Sequence, residues 1–373
     1  MLLYTVVLGV LALLLCELTV RVRASLRYGH AGTGGIDTLK RFDADSGLSI
    51  PTPGYRRAGA LVNVNVNSLG FRGQEFTAEK PQGVIRVACL GASTTFCAEA
   101  SRDEMSWPHR LQEILRARCG SHIEVINAGV PGYTVEESLR NLTHRVLRLN
   151  PDIIIVYHGN NDIVKDTRSA AIKAGLVQEG EGQQPEWIAF LSRYSLLVDL
   201  VAKNLAIQSG GSSRKLTEIP PDLSDRFVTT LGEIHQVAKD NGISLVLSGF
   251  VTKYRPGQDR DTQGRNADVA FFYMPWMTID GLLDAVAMYN SAILSFADAH
   301  DVPVIREIES IPADENHFAD CMHLRDAGCE VMAQRFADFL IEEALIQQLG
   351  DETSTLRGSG TNIALDVSAP DSE

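Results

Sequence analysis

From residue 84 onward, short apolar runs alternate with amphipathic stretches of helical period. The apolar runs cover residues 84–90, 123–126, 153–157, 243–247 and 302–305, and the amphipathic stretches cover 107–118, 134–149, 225–240, 278–299 and 325–347. Runs this short and this apolar are typical of strands that are buried on both faces. We therefore predict an α/β fold, in which a five-stranded parallel sheet lies between two layers of helices.

The N-terminal segment is apolar over residues 2–20, with Glu17 as its only charged residue, and it is long enough to cross a bilayer. We predict a membrane anchor over residues 1–24; a cleaved signal peptide and a buried core helix are the alternatives. Three arginines follow the apolar run, namely Arg21, Arg23 and Arg27. The positive-inside rule would hold that end in the cytoplasm, but long C-terminal domains are translocated regardless of such charges. We expect a single-pass membrane protein whose main domain lies outside the cytoplasm, and the side stays open.

The rest of the chain divides by composition into three parts. Residues 25–80 are predicted as a stalk that leads into a strand, since Val62, Val64 and Val66 alternate there with asparagines. The main domain covers residues 81–348, and residues 163–224 interrupt its alternation as an insertion. An insertion at the carboxyl end of a strand lies beside the ligand crevice of an open sheet, where it can form a lid or a substrate wall. Residues 349–373 are polar and acidic, which predicts a disordered tail.

Charge and cysteine content exclude some classes of function. The 373 residues carry a net charge of −13, and clustered Lys and Arg for phosphate binding are missing, so a nucleic-acid partner is not expected. The six cysteines show no metal-finger spacing, and we expect no metal and no cofactor. Cys97 and Cys321 lie close in sequence to the candidate site residues below, and their disulfide state stays open.

Four short segments at predicted strand ends or helix starts carry side chains suited to catalysis. They are Gly91-Ala92-Ser93, Asn127-Ala128-Gly129, Gly159-Asn160-Asn161-Asp162 and Asp320-Cys321-Met322-His323. Each segment alone is explained by ordinary turn chemistry, because small and polar residues commonly follow a strand. The carboxyl ends of parallel strands meet at one edge of a sheet, however, so these segments are expected to meet there.

Ser93 and His323 form the candidate catalytic pair. A serine hydroxyl is a weak nucleophile unless an adjacent base activates it and a third group orients that base. Asp320 lies three residues before His323, so its carboxylate can accept the Nδ1 proton and leave Nε2 facing Ser93. The competing histidines are His158 and His317, which we expect to have no Asp or Glu at this spacing. The alternative roles are an N-cap for Ser93 and a helix N-terminal position for His323.

The remaining segments offer hydrogen-bond donors. Gly129 can present a backbone N–H to a carbonyl oxygen, Asn161 can present a side-chain amide, and with the N–H of Ser93 they would form an oxyanion hole. Asn127 and Asp162 are candidate supporting residues, and turn or capping hydrogen bonds are their alternative roles.

The order of these motifs resembles the SGNH or GDSL-type hydrolases. The resemblance rests on Gly91-Ala92-Ser93, on Asn127-Ala128-Gly129-Val130-Pro131-Gly132, on Gly159-x-Asn161-Asp162 and on Asp320-x-x-His323-Leu324 with Gly328, and it covers about residues 84–345. Residues 67–73 also resemble a segment that precedes this domain in membrane-anchored bacterial members. Ala92 stands where the family name has Asp, at a position that varies in the family.

This resemblance implies a flavodoxin-like three-layer α/β/α sandwich and metal-free hydrolysis of esters or thioesters. It assigns Ser93 as nucleophile, His323 as general base, Asp320 as its orienting acid, and Ser93, Gly129 and Asn161 as oxyanion donors. The function expected is cleavage of acyl or acetyl esters through an acyl-Ser93 intermediate. Acyl transfer to a glycan with the same residues and a non-catalytic, membrane-tethered carbohydrate-binding module are the alternatives. The expected partners are an acylated small molecule, a lipid or an acetylated glycan.

Overall fold

The computed structural model describes residues 2–28, 39–178, 186–192, 194–209, 215–216, 218–306, 310–347 and 349. The predicted tail therefore lies outside the described residues except at residue 349. Part of the predicted stalk and most of the predicted loop in the insertion lie outside them as well.

The described residues form nine strands and twelve α-helices. The strands are β1 (Lys40–Asp43), β2 (Leu48–Pro51), β3 (Arg56–Ala58), β4 (Asn63–Asn65), β5 (Ile85–Gly91), β6 (Ile123–Asn127), β7 (Ile153–Tyr157), β8 (Ser244–Ser248) and β9 (Val304–Ile305). The helices are α1 (Leu2–Tyr28), α2 (Ser93–Phe96), α3 (Trp107–Cys119), α4 (Val135–Asn141), α5 (Asn160–Lys173), α6 (Glu186–Ser192), α7 (Leu196–Ser209), α8 (Asp225–Asp240), α9 (Arg260–Asn266), α10 (Asp268–Tyr273), α11 (Ile279–His300) and α12 (Asp326–Glu342).

Strands β5 to β9 form one parallel sheet in the spatial order β6-β5-β7-β8-β9. This is the doubly wound order of flavodoxin-like sheets, in which ligands bind where the strand order reverses, here between β5 and β7. Every residue of β5 and of β7 is buried, which explains why their sequences are apolar apart from Arg86, whose charge pairs with Glu124 at 2.7 Å. The predicted fold class is confirmed.

Helices cover both faces of this sheet. Helices α3 and α12 pack against each other, while α4, α8 and α11 are neighbours in a separate layer. The predicted helix over residues 134–149 is not uniform, because α4 passes at Leu142 into a π-helical turn and then into a 3₁₀ turn that ends at Leu149. The predicted insertion over residues 163–224 begins within α5, which ends at Lys173, and the additional helices α6 and α7 come later in it.

The segment before the sheet packs against the short helix α2. Val62, Val64 and Val66 are buried and cluster with Phe96 at the end of α2, as their alternating pattern predicts. Arg72 is also buried: its Nε lies 2.9 Å from Asp103 Oδ1, and its Nη1 donates to the carbonyl oxygen of Phe96 at 2.6 Å. The contacts of Arg72 therefore hold the segment before the sheet against the end of α2.

Replacing Arg72 with methionine is expected to cost about 3–5 kcal/mol in the free energy of unfolding, because the Asp103 carboxylate would stay buried without its cation. Urea unfolding in mild detergent measures this cost. Arg102→Met is the matched control, since Arg102 is exposed and lies 4.0 Å from Glu104. It is expected to change stability by less than about 0.5 kcal/mol. Equal unfolding midpoints for the two variants would show that Arg72 has no structural role.

Helix α1 contains one segment, Leu3–Leu26, that is long and apolar enough to cross a membrane, and this segment is not buried within the protein. The exposure excludes a core helix in this structure. A retained single-pass span and a signal sequence both fit its length and composition.

Candidate active site

Ser93 lies at the carboxyl edge of the sheet as the first residue of α2, two residues after the end of β5. The turn that places it there requires glycine at position 91. A Cβ atom on Gly91 would lie 2.0 Å from Thr95 Oγ1 and 2.7 Å from the carbonyl oxygen of Tyr157, which is closer than atoms can approach. Glycine therefore allows the end of β5 to pass closely between the end of β7 and α2.

His323 reaches Ser93 from the segment that precedes α12. Its Nε2 lies 2.8 Å from Ser93 Oγ, and its Nδ1 lies 2.7 Å from Asp320 Oδ2. Asp320 is itself held in place, because its Oδ1 accepts hydrogen bonds from the backbone N–H groups of Met322 and His323, each at 2.9 Å. These contacts place an acid, an imidazole and a hydroxyl in one chain of hydrogen bonds, the arrangement that activates a serine.

The electrostatics of the pair favour an ionised Asp320 beside His323. Burial by itself lowers the pKa of His323, but the hydrogen bond and the charge of Asp320 outweigh it, and the net pKa is raised above the ordinary value. Burial by itself raises the pKa of Asp320, and the hydrogen bonds and charge of His323 bring the net pKa below the ordinary value. Near neutral pH, Asp320 is therefore an anion that can hold a proton on Nδ1 and leave Nε2 as the acceptor.

A small cavity lies beside Ser93 and is lined by Ala92, Ser93, Thr94, His158, Gly159, Asn160, Asn161, Phe250 and Met322. Asn161 therefore borders the same space as the serine, and its amide donates one hydrogen bond to the carbonyl oxygen of Tyr133 at 2.8 Å. A side-chain amide carries a second N–H for another acceptor. As the first residue of α2, Ser93 also carries one of the backbone N–H groups that lack an acceptor within the helix.

Gly129 lies next to α2, and its backbone N–H donates to Asn127 Oδ1 at 3.1 Å. A Cβ atom on Gly129 would lie 2.5 Å from the backbone nitrogen of Phe96, so close packing alone already requires glycine here. The role predicted for Gly129 as an oxyanion donor thus competes with its hydrogen bond to Asn127, and it stays a prediction.

Asn127 and Asp162 hold backbone segments around the site. The amide of Asn127 donates to the carbonyl oxygen of Thr95 at 3.0 Å and so joins the end of β6 to α2. Asp162 is buried, accepts a hydrogen bond from the backbone N–H of Val135 at 3.1 Å, and pairs with Arg226 at 3.0 Å. The first contact of Asp162 joins the start of α4 to α5, and the second joins α5 to α8.

The expectation that neither His158 nor His317 has an acid at this spacing is wrong for His317. Asp314 lies three residues before His317, and its Oδ1 lies 2.8 Å from His317 Nδ1. His158 Nε2 lies 2.7 Å from Ser138 Oγ, and its Nδ1 lies 3.6 Å from Asp162. The D-x-x-H spacing alone therefore does not select His323; its distance to Ser93 and the partial exposure of both side chains do.

The sequence reasoning did not select three residues that the structure places at or near the site. Phe250 and Met322 line the cavity beside Ser93, and Arg226 pairs with Asp162. Phe250 follows the end of β8 by two residues, so the strand-end criterion that selected Ser93 could also have selected it. Arg226 lies on the surface of an amphipathic helix, where no sequence pattern separates it from a solvated charge.

In the part of the chain that the structure describes, no three His, Cys, Asp or Glu side chains are grouped closely enough to hold a metal ion. The expectation of a site without metal or cofactor stays a prediction.

Comparison with known proteins identifies one matching family model, that of the GDSL-like lipase/acylhydrolase family, over residues 89–331. No curated protein matches the chain by sequence. Solved structures with similar folds include a lipase/acylhydrolase from Enterococcus faecalis, at 17% identity and a TM-score of 0.41 over 69% of this chain and 95% of that chain. A catalytic mutant of an acetylxylan esterase from Geobacillus stearothermophilus shows 13% identity and a TM-score of 0.43 over 70% and 96%. At these values the similarities carry no information on substrate.

Proposed function

The chain belongs to the GDSL-like lipase/acylhydrolase family, and we therefore propose that it hydrolyses carboxylic esters through an acyl-Ser93 intermediate. The observation that supports this most is the chain of hydrogen bonds from Ser93 Oγ to His323 Nε2, at 2.8 Å, and from His323 Nδ1 to Asp320, at 2.7 Å. Both links have the length of true hydrogen bonds.

Acylation of the enzyme follows from this geometry. Ser93 Oγ attacks the ester carbonyl carbon while His323 Nε2 accepts the hydroxyl proton. Asp320 stabilises the imidazolium that forms, and the carbonyl oxygen becomes an oxyanion. His323 then gives the proton to the alcohol oxygen as the carbon–oxygen bond of the ester breaks, which leaves the acyl group on Ser93.

Deacylation repeats these steps with water. His323 Nε2 takes a proton from a water molecule, whose oxygen attacks the acyl carbon, and then returns a proton to Ser93 Oγ as the carboxylic acid leaves. The cavity that contains Ser93 and Asn161 gives the oxyanion a place beside an amide donor. We propose the Asn161 amide and the N–H of Ser93 as the principal oxyanion donors and Gly129 as the third.

Asn161→Ala is expected to lower kcat by about 10²–10³-fold with little change in KM, because the oxyanion forms only after substrate has bound. Hydrolysis of a p-nitrophenyl ester gives both constants. Asn241→Ala is the matched control, since the amide of Asn241 also donates to a backbone carbonyl, that of Val237, at 2.8 Å but lies on the exposed end of α8. A change in KM alone for Asn161→Ala would assign this residue to substrate binding instead.

The pH dependence of kcat/KM tests the roles of His323 and Asp320. Only neutral His323 can act as a base, and Asp320 raises its pKa, so activity is expected to rise with pH around a midpoint above about 6.5, the ordinary imidazole value. In Asp320→Asn the contribution that raises this pKa is lost while burial remains. The midpoint is therefore expected to move to lower pH, and kcat is expected to fall by about 10⁴-fold because the tautomer is no longer fixed.

Asp314→Asn removes the corresponding carboxylate from His317 and should change neither the midpoint nor kcat. An Asp320→Asn profile that coincides with the wild-type profile would contradict the proposed role of this acid.

The proposed location is a membrane, with Leu3–Leu26 as a retained single span. The length and hydropathy of this segment support the proposal, and so does its exposure, because an apolar surface of this kind is stable in lipid. The proposed partners are a membrane and an acylated substrate.

A further inference from the structure

Glu17 lies inside the apolar segment of α1 and binds the start of α7. Its Oε2 accepts hydrogen bonds from Ser195 Oγ at 2.7 Å and from the backbone N–H of Leu197 at 2.9 Å, and its Oε1 accepts one from the backbone N–H of Leu196 at 3.1 Å. The first N–H groups of a helix lack acceptors within that helix, and a carboxylate there is also favoured by the helix dipole. Glu17 thus accepts hydrogen bonds from the free N–H groups at the N-terminus of a helix about 180 residues away in sequence.

Arg21 extends this contact by one helical turn. Its Nε lies 2.6 Å from Glu17 Oε1, and its Nη2 donates to the carbonyl oxygen of Tyr194 at 2.6 Å. An acidic residue in an apolar span is costly in lipid unless it is paired, so these contacts explain how Glu17 is tolerated there. They also hold the start of α7 beside residues 17–21 of α1.

This contact lies near one end of the span. Glu17 comes fourteen residues after Leu3, which at the rise of an α-helix is about 21 Å along a hydrocarbon layer of about 30 Å. Glu17 is therefore expected in the outer third of the hydrocarbon layer on the side of the main domain, and Arg21, one helical turn further on, close to the boundary of the bilayer. Trp and Tyr side chains are enriched at this depth in membrane proteins.

The inserted helices α6 and α7 also present apolar side chains outward. Trp187, Phe190 and Tyr194 are 65%, 56% and 66% exposed. The rings of Phe190 and Tyr194 lie 5.3 Å apart. On α7, the exposed side chains of Leu200, Val201 and Leu205 lie within one half of the helix surface. Large apolar side chains exposed together on a soluble surface are uncommon and mark a site of contact.

We propose that α6 and α7 lie in the lipid interface beside α1, so that the bilayer covers the surface formed by Trp187, Phe190, Tyr194, Leu200, Val201 and Leu205. The continuity of this surface with an exposed apolar span selects lipid as the occupant. The proposal rests on the membrane anchoring proposed for α1 and is independent of the ester chemistry.

The inserted helices also contact an element near the active-site edge. Helix α7 packs against α10, which ends at Tyr273. Burial raises the pKa of Tyr273, and the charge of Asp320 raises it further, so the end of α10 lies within electrostatic range of the orienting acid of the site. The inserted helices therefore connect the interface to the catalytic edge.

The three tryptophans provide a direct test, because Trp187 is exposed whereas Trp107 and Trp276 are buried. The full chain is reconstituted into vesicles of phosphatidylcholine that is brominated near the glycerol end of one acyl chain, since bromine quenches indole fluorescence on contact. The tryptophan fluorescence of the wild type is expected to fall by at most the contribution of one of its three indoles. Trp187→Phe is expected to float with the vesicles and to show no such loss.

A second variant serves as the matched control. Ser121→Trp in the Trp187→Phe background restores an exposed indole, but in the turn before β6 at the opposite edge of the sheet, and it is expected to stay unquenched. Equal quenching of wild type and Trp187→Phe, or quenching at position 121, would overturn the proposal. An unquenched Trp187 in protein that floats with the vesicles would also overturn the proposal, because water or a second copy of the chain would then cover this surface. Protein that does not float would overturn both the anchor and the interface, while ester hydrolysis in the same samples reports on the proposed chemistry separately.

Discussion

Ser93→Ala is expected to lower kcat for ester hydrolysis by about 10⁴–10⁶-fold, the loss seen when the nucleophile of a catalytic triad is removed. The substitution deletes the atom that forms the acyl bond and leaves His323 Nε2 without its 2.8 Å partner. Ser93 is partly exposed, so the change creates no sealed cavity and the protein should stay folded. Steady-state rates with a p-nitrophenyl ester, together with circular dichroism, measure both effects.

Ser138→Ala is the matched control for this prediction. Ser138 also pairs with a histidine, since its Oγ lies 2.7 Å from His158 Nε2, and Asp162 lies near the other ring nitrogen. All three side chains are buried, however, so a substrate cannot reach this serine. Activity should therefore survive in Ser138→Ala. Comparable losses in the two variants would show that the pairing of serine and histidine does not identify the nucleophile.

His323→Gln is expected to lower kcat by a similar factor, because nucleophile and base act as a unit and removal of either abolishes the activation. Glutamine keeps a polar group of similar reach but cannot accept a proton at neutral pH. Residual activity should no longer follow the titration of an imidazole. Rates measured between acidic and mildly alkaline pH therefore separate loss of the base from a general loss of folding.

His317→Gln tests whether the local Asp–His pattern is sufficient for this role. Asp314 and His317 repeat the spacing of Asp320 and His323, and the structure pairs them at 2.8 Å. We expect wild-type kcat and a wild-type pH profile for this variant. If His317→Gln lost activity while His323→Gln kept it, the base would have been assigned to the wrong histidine.

The fold could be predicted because its determinants are local and periodic. A strand that is buried on both faces is apolar at nearly every position, as in β7 and, apart from Arg86, in β5, and this pattern is visible without any partner strand. The π-helical turn after α4 depends on packing around Leu142 and Val146, which local propensity does not encode.

The sequence predicts the residues of the candidate site, but the Asp–His spacing does not distinguish between two histidines. Strand-end positions and the D-x-x-H motif predict that Ser93, Asp320 and His323 act together, yet the same motif occurs at Asp314 and His317. In the structure the distance from Nε2 to Ser93 distinguishes the two histidines, and distances between remote segments depend on the assembled sheet. The hydrogen bond from Gly129 to Asn127 is likewise a property of the folded loop.

Labelling with a fluorophosphonate tests the central claim most directly. The phosphorus atom is attacked by an activated serine Oγ, fluoride leaves, and the label stays on that residue for mapping by peptide mass spectrometry. The wild type should carry the label on Ser93, His323→Gln should react far more slowly, and Ser93→Ala should not react. A label on a different serine of the wild type, or equal labelling of wild type and Ser93→Ala, would contradict the proposed mechanism.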